Sequence, residues 1–252
     1  MNRFRCLGFA LAGSLLCALT ASAQQDELKA ILRKSIDAHG GEKLMAKYHS
    51  GTSKFKGTLK ILNMDAEITG ETSFQKPDKL RNAMTINIMN KAIDIVQVFD
   101  GKSFWVSTMG TTQEIKDEKV VKEVRESLQA EGGGNFVDML KGNGYELNAF
   151  GEAKVKGKDA IGIRVSKKGQ RDVTYFFDKK THLVVKIEQR AFDAMSAQEY
   201  TQEKFISEYQ VKDGLKVAKR VEILKDGEAF MDLQILEVNV VEQLDKTLFQ
   251  KP

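Results

Sequence analysis

Between Arg171 and Gln189, apolar residues recur at every second position on both sides of a polar tetrad, Lys179, Lys180, Thr181 and His182. Val173, Tyr175 and Phe177 precede the tetrad, and Leu183, Val185 and Ile187 follow it. A period of two is the mark of a strand, so the stretch predicts a β-hairpin with one buried face and one wetter face. A slip of one residue would turn both apolar rows to water, which fixes the register and lets neighbouring strands template on it. Little interrupts long strands elsewhere, because the only prolines are Pro77 and Pro252.

The first 23 residues differ in kind. Arg3 and Arg5 precede an apolar run from Cys6 to Leu19, and Ala21-Ser22-Ala23 follows, the order of a secretory signal peptide cleaved before Gln24. Lipidation of Cys17 is the competing reading, disfavoured by the bulky Leu16 before it. The expected division is residues 1–23 as leader and 24–252 as one domain, since all-β domains of this size are common. Both cysteines, Cys6 and Cys17, lie in the leader, so the mature chain is expected to lack disulfides, thiol catalysis and cysteine-bound metal. Losing Arg3 and Arg5 lowers the net charge from +4 to +2, too balanced for nucleic acid or strong anionic-membrane binding. No later stretch reaches the roughly 20 apolar residues of a membrane-spanning helix. The product is expected to be a soluble monomer in the periplasm.

Along the chain, Leu28, Ile31, Leu32 and Ile36 fall on one helical face that stops at Gly40-Gly41. Period two begins at Thr52, with Phe55, Leu59 and Ile61 inward, then Ala66, Ile68, Thr72 and Phe74. Gly57 and Gly70 sit in the inward rows, which suggests a bent sheet with room against its face. Strands over 80–89 and 92–99, a turn at Asp100-Gly101 and a short strand with Phe104, Trp105 and Val106 follow. From Gln113 to Glu131 the spacing turns helical, with Val120, Val121, Val124 and Leu128 in a charged segment. Gly132, Gly133 and Gly134 end it, and a second short helix presents Phe136, Val137, Met139 and Leu140. Strands resume at Tyr145 and run to Val240, with a phase shift after Ile235 that predicts a bulge. The pattern gives a mostly β, α+β fold: one curved antiparallel sheet of about ten or eleven strands forming a half-open barrel, with an N-terminal helix and a helical lid.

Chemistry is sparse. His39, Glu42 and His49 lack the spacing of a zinc site, so no metal is expected, and no cofactor motif occurs. No serine, histidine and acid stand in a recognisable order, and no carboxylate pair stands out, so the chain is not expected to be an enzyme. What remains is inward apolar surface with movable amphipathic cover, which fits a cavity for acyl chains.

Several stretches resemble the LolA-like and LolB-like periplasmic proteins. These are Ala38-His39-Gly40-Gly41, Lys76-Pro77-Asp78-Lys79-Leu80-Arg81, Asp100 to Trp105, the Tyr175 to Ile187 hairpin with Asp178, Asp213-Gly214-Leu215-Lys216, and Leu248-Phe249-Gln250-Lys251-Pro252. The resemblance implies an incomplete antiparallel barrel with a helical lid over an apolar cavity. It also implies a carrier of lipoprotein acyl chains, or of phospholipid, toward the outer membrane, served by membrane-anchored donor and acceptor proteins. A lipid or lipoprotein sensor that signals through a protein partner is the alternative. Phe55, Leu59, Ile61, Ile68, Phe74, Phe104, Trp105, Val173, Tyr175 and Phe177 would line the cavity. Val120, Val121, Val124, Leu128, Phe136, Met139 and Leu140 would form the lid. In LolA proteins an arginine before the proline helps latch the lid; here Lys76 is the candidate latch, a point charge in place of a planar fork.

Overall fold

The computed structural model of the chain describes residues 12–61, 64–131, 136–193 and 196–252. Its strands are β1 (Ser50–Ile61), β2 (Met64–Gln75), β3 (Lys79–Ile88), β4 (Lys91–Phe99), β5 (Phe104–Thr108), β6 (Thr111–Ile115), β7 (Tyr145–Val155), β8 (Lys158–Lys167), β9 (Val173–Asp178), β10 (Val184–Asp193), β11 (Gln198–Lys212), β12 (Leu215–Lys225) and β13 (Glu228–Val241). They make one curved antiparallel sheet of 13 strands, ordered β6-β5-β4-β3-β2-β1-β13-β12-β11-β10-β9-β8-β7. The chain walks from β1 out to the β6 edge. Helices α3 (Glu118–Glu131) and α4 (Phe136–Lys141) then carry it to the far edge at β7, and it returns until β13 pairs with β1. The sheet therefore has a seam at its centre and two free edges, an unclosed barrel.

The strand count exceeds the expected ten or eleven, and β6 is one reason. Thr111–Ile115 holds one large apolar residue and reads poorly as a strand, yet it pairs with β5 in full register as the sheet's edge. The helix expected from Gln113 begins only at Glu118, because Asp117 caps it, its Oδ1 accepting from the Lys119 and Val120 amides at 2.8 and 3.3 Å. The Gly132 to Gly134 joint lies outside the described residues.

Helix α1 (Ala12–Ala38) runs on across the expected cleavage point and buries Leu28, Leu32 and Ile36. Its end is closed by Gly41, whose amide donates to the Ile36 carbonyl at 2.9 Å with φ at +89°, a turn that glycine adopts without strain. With α2 (Glu42–Lys47) and α4 it covers β7 to β10 and the ends of β12 and β13. The resulting core holds Phe136, Leu147, Ile163, Tyr175, Phe177 and Val240. The Phe136 ring meets Tyr175 edge-on at 5.2 Å.

The β9–β10 hairpin departs from simple alternation. Val184 pairs with Phe177 and Lys186 with Phe176, so Val185 is the extra residue of a bulge. Ile187 consequently joins Tyr175 in the helix-covered core, whereas Val185 packs with Phe176 on the opposite face. Both faces of β9 are buried, so the expected wetter face is absent there. The bulge predicted after Ile235 is present: Phe55 faces Ile235 while Lys54 faces Glu237. It keeps Val238 and Val240 on the same face as Leu233 and Ile235.

Gly57 and Gly70 do not leave the room expected of them. A Cβ on Gly70 would lie 2.5 Å from the Ala83 carbonyl and 2.8 Å from the Phe55 ring, and one on Gly57 would collide with the Asp232 carbonyl. Their space is taken by neighbouring strands and by Phe55.

Candidate functional site: an uncovered apolar face beneath α3

The helix-bearing face of the sheet carries two apolar clusters. The second is made of strands alone: Phe55, Leu59, Ala66, Ile68 and Ile86 are buried, and Ile61, Met84, Ile88, Ile95, Phe230, Met231, Leu233 and Ile235 are partly exposed. Among the described residues no helix contributes to it. Register places these side chains on one face, since Phe55 is opposite Gly70, Gly70 opposite Met84, and Met84 opposite Ile95. Toward the other end of the same strands lie Phe74, Leu80, Phe99 and Phe104, also in register.

Helix α3 reaches from β9 and β10 on one flank to Phe99 and Gly101 on the other. It is fastened by polar groups: Arg171 pairs with Glu123 at 2.5 Å and Glu126 at 3.0 Å, and the Tyr175 hydroxyl donates to the Ala130 carbonyl at 3.0 Å. On its other flank the Arg125 guanidinium lies 5.7 Å over the Phe99 ring. Burial pushes the Glu123 carboxyl above its usual range, opposed by Arg171. The apolar stripe Val120, Val121, Val124 and Leu128 stays half-exposed, and none of the four belongs to either cluster. A cavity of about 30 Å³ beside Glu126, Arg171 and Gln189 has room for about one water.

The expected site residues thus separate. Phe55, Leu59, Ile61 and Ile68 sit together in the strand-only cluster, with Phe74 and Phe104 further along the same face. Val173, Tyr175 and Phe177 belong to the helix-covered core instead. Trp105 lies on the opposite face: Phe104 pairs with Phe99 inside, so pleating turns Trp105 outward beside Val98. The expected lid divides as well, because Phe136 and Met139 are fully buried core residues and Leu140 packs on them, leaving α3 as the loosely seated part. Lys76 continues the inward row after Phe74, its amide donating to the His49 carbonyl at 3.0 Å. Burial lowers its ammonium to about 8, opposed by Asp138 of α4.

His39 is buried, with Nδ1 2.8 Å from the Ser35 carbonyl, and burial lowers its pKa. Among the described residues no three His, Cys, Asp or Glu side chains gather as metal ligands, and no helix is long and apolar enough to cross a membrane. The opposite face holds an open basin of about 500 Å³ over Phe150, Phe176 and Phe205. Its lysines are already neutralised: Lys186 by Glu188 and Glu203, Lys156 by Glu222 and Lys154 by Asp159.

No family profile and no curated protein matches the sequence. Solved structures do match in shape. A DUF1329 family protein from Desulfovibrio piger superposes with a TM-score of 0.56 at 14% identity, covering 88% of this chain and 97% of that one. A LolA superfamily protein from Nitrosomonas europaea gives 0.52 at 12% identity, over 88% and 96%. The fold is LolA-like. A domain from Vibrio parahaemolyticus assigned to outer membrane lipoprotein sorting shares it, at a TM-score of 0.55, 11% identity and 88% and 95% coverage. At such identities the LolA-like likeness concerns architecture, so function has to come from the site.

Proposed function

We propose that the protein binds the acyl chains of a lipid or lipoprotein on the strand-only cluster beneath α3, and carries them through the periplasm after its leader is removed. The observation that supports this is an apolar sheet face with five buried and eight partly exposed side chains to which, among the described residues, no helix contributes. Uncovered apolar surface of this kind marks a binding surface. The half-exposed stripe of α3 supplies a second apolar wall, so an acyl chain would lie between sheet and helix and bury both. At about 25 cal/mol per Å², a chain that buries a few hundred Å² gains several kcal/mol, the range of a reversible carrier.

Native mass spectrometry of protein purified from its own periplasm tests the reading. Copies carrying acylated species, together with an amino terminus at Gln24, are the expected result. Protein that is consistently empty and takes up no 1-monoolein from solution would overturn it.

A further inference from the structure

Across the inward face runs a row of polar side chains that a plain apolar trough would not contain. Ser53 of β1 is opposite Thr72 of β2, Thr72 opposite Asn82 of β3, and Asn82 opposite Gln97 of β4. Direct partners point to the same side, so the four stand next to one another, spanning about 14 Å at roughly 4.8 Å per strand. One level toward the hairpin tips are Phe55, Gly70, Met84 and Ile95, and one level the other way are Gly51, Phe74, Leu80 and Phe99. The row is therefore a polar belt between two apolar levels.

All four residues are half-buried, and none of their side chains hydrogen-bonds to another described residue. Their polar atoms are not among the buried unpartnered ones of the described residues, so they face open space where a ligand could reach them, and the surrounding levels show that Ile, Met or Phe fits these strands. The basin on the opposite face shows the contrary arrangement, with every rim lysine matched to an acid. The belt is two hydroxyls and two carboxamides, rich in donors and acceptors and free of charge. The Arg125 guanidinium lies over Phe99, one level away, and points a nitrogen at the Gly101 carbonyl at 3.5 Å.

We propose that Ser53, Thr72, Asn82 and Gln97 form a recognition belt for the neutral ester, amide and hydroxyl groups that join acyl chains to their head, with the chains lying on the strand-only cluster. This rests on the acyl-binding reading above and adds the chemistry that selects the cargo. Both an acylglycerol and the acylated amino terminus of a lipoprotein present this linkage.

Asn82→Leu/Gln97→Leu in the full mature chain is the decisive variant, with Thr72→Val as a near-isosteric second. Binding is measured by fluorescence for pyrene, a hydrocarbon probe, and by displacement of pyrene with 1-monoolein or with a synthetic diacylglyceryl-cysteine peptide. The double variant should lose at least about tenfold in affinity for monoolein, for the peptide, or for both, while pyrene binds as well or better. Which ligand responds identifies the source of the linkage. Thr72→Val should shift the same ligand by a smaller factor in the same direction. Equal affinities in wild type and both variants, or a parallel loss of pyrene, would overturn the belt while leaving acyl binding standing. A wild-type protein that binds none of the three probes would overturn both.

Discussion

Gly70 illustrates how tightly the strands at the seam are set. The Phe55 ring and the Ala83 carbonyl already occupy the place of a Cβ, so Gly70→Ala should destabilise by about 1 to 3 kcal/mol through overpacking. Chemical denaturation should show the midpoint falling with an unchanged slope; a neutral result would mean that Phe55 has free space into which to turn. Lys76 carries the opposite kind of strain. Its folded pKa of about 8 lies below the ordinary 10.5, so the folded chain binds its proton less well than the unfolded chain. The penalty is fully present below pH 8 and disappears as pH rises from about 8 toward 10.5, so stability from this group increases across that window. Lys76→Met should then stabilise at pH 7 by about 1 to 3 kcal/mol, the full shift being discounted because the side chain is half-buried. Melting curves at pH 7 and pH 10.5 check this, with the gain expected at the first and gone at the second; a loss at pH 7 would instead assign Lys76 a stabilising contact with α4.

Helix α3 combines a polar attachment with an apolar stripe left half-exposed, so its docking should depend on Arg171 more than on Val124 or Leu128. Arg171→Met would leave Glu123 largely buried without its cation and Glu126 with only the more distant Lys122 at 3.7 Å, a local defect of about 2 to 4 kcal/mol. Amide exchange across 118–131 should quicken at least tenfold at pH 7, while α1 and β9 keep their protection. Acid should reverse it. The Glu123 carboxyl has a raised folded pKa, so its contribution is fully present below its unfolded value of 4.5 and is lost as pH rises through the folded value. Unchanged exchange in the variant would show that the apolar stripe holds the helix after all. The existence of this helix was legible from the spacing of Val120, Val124 and Leu128, but its orientation was not. Amphipathic spacing leads one to expect the apolar stripe to be covered, and Val120, Val121, Val124 and Leu128 are partly covered, but the tertiary pairing of Arg171 with two glutamates seats the polar flank as well. Likewise β6 was hidden because an edge strand needs only one neighbour and little apolar content, while α4 was legible as apolar but not as core.

At the scale of the whole molecule, one sheet carries two unequal halves. The alternating pattern from Thr52 to Val240 made the curved antiparallel sheet and the bulge in β13 readable in advance. The seam between β1 and β13 was not, because it joins residues nearly 200 positions apart and no local signal pairs them. The belt of Ser53, Thr72, Asn82 and Gln97 was hidden for the same reason: Thr72 reads as inward in its own strand, but only the register shows the four as neighbours. This division predicts how stability and binding are distributed. Strands β7 to β10 are covered by α1, α2 and α4 over a core containing Phe136, Tyr175 and Phe177, whereas β1 to β4 and β13 share a cluster to which no helix contributes among the described residues. Local opening is governed by buried apolar contact, so backbone amides of β8 and β9 should exchange slowest, those of β3 to β6 fastest, with β1 and β13 between. A ligand that binds only the folded chain adds protection where it sits, by an amount set by its concentration relative to Kd. Saturating 1-monoolein should therefore slow exchange in β2, β3, β4 and α3 and leave β8 and β9 unchanged. Hydrogen exchange with mass-spectrometric readout resolves these segments. Protection confined to β7 to β11 would place the ligand on the basin of the opposite face, and uniform protection would mean that both halves open as one unit.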